Sequence, residues 1–249
     1  MELYGEDFVS ISKLIHIGCS YAVGNDADGF AVSKELVKHT GKVYTCGNYI
    51  ADKLKVRFEK NAENGSSNER TIRVLMQTDM INSGVLIGIT SSHRREGLTT
   101  SKAPKQKFAN SHWHTWKIVP PGAGKKYKNL MFNPWQPEYF PALSEECQIK
   151  TILQILYMQS HLKLHKVPYL MFNALHNGFD QPQTHEADKL LKQVDEDHFY
   201  KLRGNSTESH HGFVVNTRMF VHTKDEHPNL QGQREWGKKL EPQALQIFG

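Results

Sequence analysis

The chain has 249 residues, 38% of them hydrophobic and 10% aromatic, enough apolar material to build the core of one large α/β domain. The net charge of +5 is mild, and Lys and Arg are scattered apart from the clusters Lys102 to Lys107 and Lys125-Lys126-Tyr127-Lys128. With no regularly interleaved aromatics, these clusters read as solvated loops and argue against a nucleic-acid surface.

In chain order, Lys13 to Cys19 reads as a buried strand, since Leu14, Ile15 and Ile17 are apolar and Gly18 ends the run. Residues 29–40 suit a helix with Phe30, Val32, Leu36 and Val37 on one face and Gly41 as its stop. Lys42 to Cys46 reads as a second short strand, and residues 47–64 carry no clear period. Ser66 or Ser67 caps a helix to about Met80, with Ile72, Leu75 and Met76 on its inner face. Val85 to Thr90 is apolar almost throughout, as a parallel strand covered on both faces should be. Residues 92–140 break this rhythm with Lys, Pro, Gly and the aromatics Trp113, Trp116, Trp135, Tyr139 and Phe140; they read as an insertion or lid. Those aromatics either line a cleft or pin a long loop to the body. A helix over 144–165 follows, then a strand from Val167 to Phe172 and a short amphipathic helix over 185–194. Phe213 to Val221 could hold a strand, and Gly232 to Leu240 reads as the closing helix, stopped near Pro242.

Strands alternating with helices predict one domain over residues 1–249. Its expected form is a three-layer α/β/α, flavodoxin-like parallel sheet with 92–140 inserted as a long loop. Right-handed crossovers bring the strand C-termini to one edge, where ligands bind, so Ser20, Thr90 and Asn173 should gather there. No apolar run approaches the roughly 18 residues of a membrane span. The acidic N-terminus Met-Glu-Leu-Tyr-Gly-Glu-Asp has no signal-peptide pattern, and Cys19, Cys46 and Cys147 make no disulfide framework. The expected location is therefore the cytoplasm of a host cell or a virion, with no membrane contact.

Serine needs an adjacent base to act as a nucleophile. A serine in the turn after the first strand, and an acid and histidine just before the last helix, would supply one: Ser20, Asp225 and His227. On these residues the chain resembles the SGNH/GDSL hydrolase family, in the Gly-Cys-Ser form of phage-type members. Gly18-Cys19-Ser20-Tyr21-Ala22-Val23-Gly24 is similar to the family's first block and Gly65-Ser66-Ser67-Asn68-Glu69-Arg70-Thr71-Ile72-Arg73 to its second. Val85 to Thr90, with Ser91-Ser92-His93-Arg94-Arg95-Glu96, is similar to the third, and Asp225-Glu226-His227-Pro228-Asn229-Leu230-Gln231-Gly232 to the last. The resemblance implies Ser20 as nucleophile, His227 as base and Asp225 as its partner, with the backbone N–H groups of Ser20 and Gly65 receiving the oxyanion. Asn68, Thr90, Ser91 and Arg94 lie in the matching blocks as further oxyanion or substrate-binding candidates.

Three departures stand out. Cys19 occupies the position where the family has Asp, the third block lacks Gly-x-Asn-Asp, and Asp225 precedes His227 by two residues where three is usual. The missing Asn leaves its oxyanion role to Thr90 or Ser91, and loss of one such donor costs roughly 10²–10³ in rate. The expected activity is ester hydrolysis through an acyl-enzyme, on an ester-bearing small molecule or an acetylated glycan, with no cofactor and no metal. The competing expectation is a phage structural or accessory protein that uses the fold for virion or homo-oligomer contacts.

Other groups have plainer readings. Cys19 reads as a small buried side chain. His112-Trp113-His114, His161 with His165, and His210-His211 lack the HExxH or paired CxxC of a metal site and read as surface or packing histidines. Pro121-Gly122-Ala123-Gly124-Lys125 lacks P-loop spacing. Arg94 is placed either to pair with a substrate carboxylate or phosphate, or to form a salt bridge with Glu96 or Asp225.

Overall fold

The run Lys13-Leu14-Ile15-His16-Ile17-Gly18 forms β1 (Lys13–Gly18), buried at every position, as a central parallel strand requires. In the computed structural model, which describes residues 10–23, 44–63, 66–92, 94–98, 113–117, 140–222 and 225–249, β1 pairs in parallel with β2 (Arg57–Ala62) and β3 (Ser83–Ile89). With β4 (Arg94–Leu98) and β5 (Trp113–Lys117) forming a separate antiparallel hairpin, the sheet continues through β6 (Tyr169–Asn173) to β7 (Phe199–Tyr200). The sheet order is β2-β1-β3-β6-β7.

Strand alternation divides the core in two. Ile15, Ile17, Val85, Ile87, Tyr169 and Met171 pack with Leu75 of α3 (Asn68–Gln77), with Ile152, Ile155, Met158 and Leu162 of α4 (Phe140–Leu164) and with Leu191 of α5 (His185–Leu191). Leu14, Leu86, Leu170 and Phe172 face the other way. They meet Cys46, Ile50 and Ala51 of α2 (Cys46–Leu54) and Trp236, Leu240, Ala244 and Phe248 of α7 (Leu230–Phe248). Helices on both faces of an all-parallel sheet make the expected three-layer α/β/α fold.

Several local expectations are corrected. Position 46 opens a helix and not the end of a strand: the Thr45 hydroxyl accepts the Asn48 amide, and the Asn48 side chain accepts the Thr45 amide in return. The second strand is β2, from within the stretch that showed no period; positions 42 and 43 lie outside the described residues, as do those of the helix expected over 29–40. Phe213 belongs to α6 (His210–Thr217), and only β8 (Phe220–His222) is extended. Asp225 and His227, read only as lying just before the last helix, sit on a paired strand, β9 (Asp225–Pro228), antiparallel to β8. Pro242 does not stop the last helix, which runs on to Phe248. The segment 92–140 contributes the β4–β5 hairpin, and its last residue, Phe140, opens α4. Positions 93, 99–112 and 118–139 of that segment lie outside the described residues, Trp135 and Tyr139 among them.

Candidate active site

After Gly18 the chain turns at once. Cys19 is buried, as its plain reading held, and its carbonyl accepts the Ala22 amide at 2.8 Å, opening the single turn α1 (Ser20–Val23). Ser20 therefore follows directly on the C-terminal end of β1. Its side chain, that of Asp225, and all of Gly65 lie outside the described residues.

Tyr21, 4% exposed, joins this turn to the far end of the chain. Its hydroxyl donates to the Glu226 carbonyl at 3.0 Å across 205 residues of sequence. Its ring centroid lies 5.2 Å from that of His227, with the planes tilted by 33°. His210 meets the Tyr21 ring edge-on at 5.2 Å and His211 at 5.9 Å, and His211 Nε2 pairs with Glu226 Oε2 at 2.9 Å.

The sequence after His227 explains how this strand is held. Asn229 is the N-cap of α7: its Oδ1 accepts the Gly232 amide at 2.8 Å, and its Nδ2 donates to the Phe220 carbonyl at 3.3 Å. A Cβ at position 232 would stand 2.5 Å from the Met219 carbonyl, so only glycine permits this helix to start so close to β8. One turn on, the buried Gln233 side chain donates to the Tyr21 carbonyl at 3.0 Å and accepts the Cys46 amide at 2.9 Å. A single amide thus ties the turn after β1, the start of α2 and the start of α7, and satisfies one of the free N–H groups at the start of α2.

The second and third blocks meet beside this turn. The Glu63 amide extends the β1–β2 ladder by donating to Gly18 O at 3.2 Å, which carries the chain toward position 65. Ser67 caps α3. Asn68 is buried and exchanges two hydrogen bonds with the Thr90 backbone: Nδ2 to Thr90 O at 3.3 Å, and Thr90 N to Oδ1 at 3.0 Å. Arg94 Nη1 donates to the Ser66 carbonyl at 3.2 Å, while Arg70 reaches Ser66 Oγ at 3.3 Å and Glu63 at 2.6 Å. The Thr90 hydroxyl is buried with no hydrogen-bond partner among the described residues, and the Ser91 carbonyl accepts the Arg94 amide at 3.1 Å.

Beyond Thr90 lies a buried amide network. Asn177 Oδ1 accepts the Ser92 amide at 3.0 Å, and Asn177 Nδ2 donates to Asn173 Oδ1 at 3.1 Å. Asn173 ends β6 and is the register partner of Ile89, so positions 90 and 173 share the sheet edge as expected.

Histidine chemistry dominates the environment behind the turn. His210 stacks on Trp236 at 5.0 Å with planes 4° apart, and burial holds its imidazole well below the usual histidine range. His16, fully buried on β1, is lowered to about 3, first by burial and then by Lys60. Both rings are neutral at physiological pH. Among the described residues no group of three or more His, Cys, Asp or Glu side chains is placed to share a metal ion, and no helix is long and apolar enough to cross a membrane.

Tyr21, Glu226 and Gln233 were not singled out from sequence, and His211 was read only as a surface or packing histidine. Tyr21 had one available signal, its position next to the candidate nucleophile; the others are marked only by contacts that the tertiary fold creates.

An open parallel sheet with helices on both faces and polar loops at its C-terminal edge defines a doubly wound α/β protein. No family model matches the chain, and no curated protein matches it. Among solved structures it is similar to a GDSL-like lipase from Bacteroides thetaiotaomicron, with 9% identity, 94% of this chain and 88% of that one covered, and a TM-score of 0.39. It is also similar to the acetyl xylan esterase AlAXEase, with 12% identity, 92% and 97% covered, and a TM-score of 0.40.

Proposed function

We propose that the protein is a serine ester hydrolase that works through an acyl-enzyme. The observation that carries this reading is the packing of the His227 ring on Tyr21, the residue next to Ser20, which brings the two ends of the chain to one point on the sheet edge.

In this mechanism Ser20 Oγ attacks the ester carbonyl while His227 takes its proton. Asp225 fixes the imidazole tautomer. The backbone N–H groups of Ser20 and Gly65 receive the oxyanion, with Thr90 or Ser91 in the place of a side-chain donor. Collapse breaks the ester C–O bond, and His227 returns the proton to the leaving alcohol. Water, deprotonated by His227, then attacks the acyl-enzyme and releases the acid and free Ser20. Asn68 holds Thr90 through its two backbone hydrogen bonds, and Arg94 holds the Ser66 carbonyl beside position 65. The substrate class is an ester-bearing small molecule or an acetylated glycan.

The test compares Ser20→Ala with the unmodified protein on p-nitrophenyl acetate and on acetylated polysaccharides. Loss of turnover by at least about 10³-fold is expected. Equal rates would remove the serine mechanism. A fluorophosphonate probe followed by mass spectrometry of the peptide containing Ser20 gives the same decision without a substrate.

A second reading is a phage structural or accessory protein that binds or assembles through this fold. It is favoured by the burial of the Thr90 hydroxyl, which closes this candidate oxyanion donor off from solvent. No turnover and no probe labelling, together with a defined oligomer in sedimentation, would select it.

A further inference from the structure

The Tyr21 side chain does more than fill a gap. A buried tyrosine needs one partner for its hydroxyl, and many would serve. This one uses the Glu226 carbonyl, the peptide group that leads directly into His227, at 3.0 Å. The same ring lies against the His227 imidazole at 5.2 Å. The two contacts act on different parts of one residue: the first fixes the backbone at its entrance, the second limits where its ring can turn. Tyr21 is itself immobilised, because Gln233 holds its carbonyl at 3.0 Å and His210 abuts its ring edge. The Glu226 carboxylate in turn pairs with His211 at 2.9 Å.

We propose that Tyr21 is a positioning residue for His227, its hydroxyl and ring holding the imidazole of β9 against the turn that carries Ser20. The proposal takes its reaction from the ester-hydrolase reading, but its geometry is independent of that reading. Among the described residues, the titratable groups around the pair include His210 and His211 from α6 and Glu226 from β9. Unlike an ordinary core tyrosine, Tyr21 should therefore control the orientation of a histidine as well as stability.

The experiment follows the His227 imidazole resonances by NMR across a pH titration in the full chain, assigned with His227→Gln, for the unmodified protein, Tyr21→Phe and Tyr21→Leu. Ester turnover is measured in parallel with Ser20→Ala as the control. Tyr21→Phe keeps the ring and loses the bond to Glu226; a shifted His227 resonance and a fall in kcat of about fivefold are expected, the worth of roughly one hydrogen bond. Tyr21→Leu also loses the ring, and a fall in kcat of about 100-fold with KM little changed is expected from a misplaced base. His227 resonances that coincide in all three proteins would overturn the proposal. If Tyr21→Leu does not fold, Tyr21→Phe decides alone by the same resonances. If Ser20→Ala is as active as the unmodified protein, the hydrolase reading falls, while displaced His227 resonances would still establish the clamp.

Discussion

His16 and His210 are two imidazoles with no hydrogen-bond partner for any ring nitrogen among the described residues. Each is stable in the fold only as the neutral form. Their folded pKa values lie below the unfolded value near 6.5, so their contribution to stability is fully present above that pH and is lost as pH falls, for His16 down to about 3. Unfolding free energy measured by denaturant melts should drop between pH 6.5 and pH 4, by about 2 kcal/mol at pH 5 for His16 alone. His16→Leu should flatten that slope, and an unchanged slope would show that other groups set it. Legibility was uneven at this scale. Ser20, Asp225 and His227 stood out because nucleophile, acid and base are chemically distinctive types in suggestive places. Tyr21 and Gln233 did not, because a tyrosine or glutamine gains its role only from the carbonyl it meets.

Single elements depend on caps and close approaches. Asn229→Ala removes the side-chain cap of α7 and its bond to Phe220 O, and should cost about 1–2 kcal/mol in a thermal or denaturant melt. On the proposed ester-hydrolase reading, because the same residue anchors β9, ester turnover should fall further than this loss of stability explains; turnover at the unmodified level would contradict that link. Gly47→Val should be severe, since even a Cβ there would stand 2.6 Å from His16 Nδ1 and 2.7 Å from the Phe58 ring. A loss of at least about 2 kcal/mol, or no soluble protein, is expected. The elements most legible in sequence were those with one strong signal: the apolar runs of β1, β3 and β6, and the Ser67 cap of α3. Arg57 to Ala62 was missed because β2 lies at the sheet edge, where half-exposed charged residues interrupt the apolar pattern. Thr45 and Asn48 carried a capping signal in the sequence that starts a helix at Cys46.

At the scale of the whole molecule, α7 closes the structure. Trp236, Leu240, Ala244 and Phe248 cover the face formed by Leu14, Leu86, Leu170 and Phe172. Truncation after Asn229 would uncover that face and remove Gln233, the link between the turn after β1 and α2. The truncated chain should be insoluble or bind a hydrophobic dye strongly; a soluble product with an unchanged circular-dichroism spectrum would contradict this account. The sequence by itself determined the class of the fold, because alternating apolar strands and amphipathic helices can bury their faces only as layers around a parallel sheet. It also determined which residue types could act as nucleophile, acid and base. Tertiary structure alone decided that His227 lies on a paired strand, that its ring meets Tyr21, and that Asn68 binds the Thr90 backbone. These contacts join residues far apart in the chain, and local propensity carries no record of such distances.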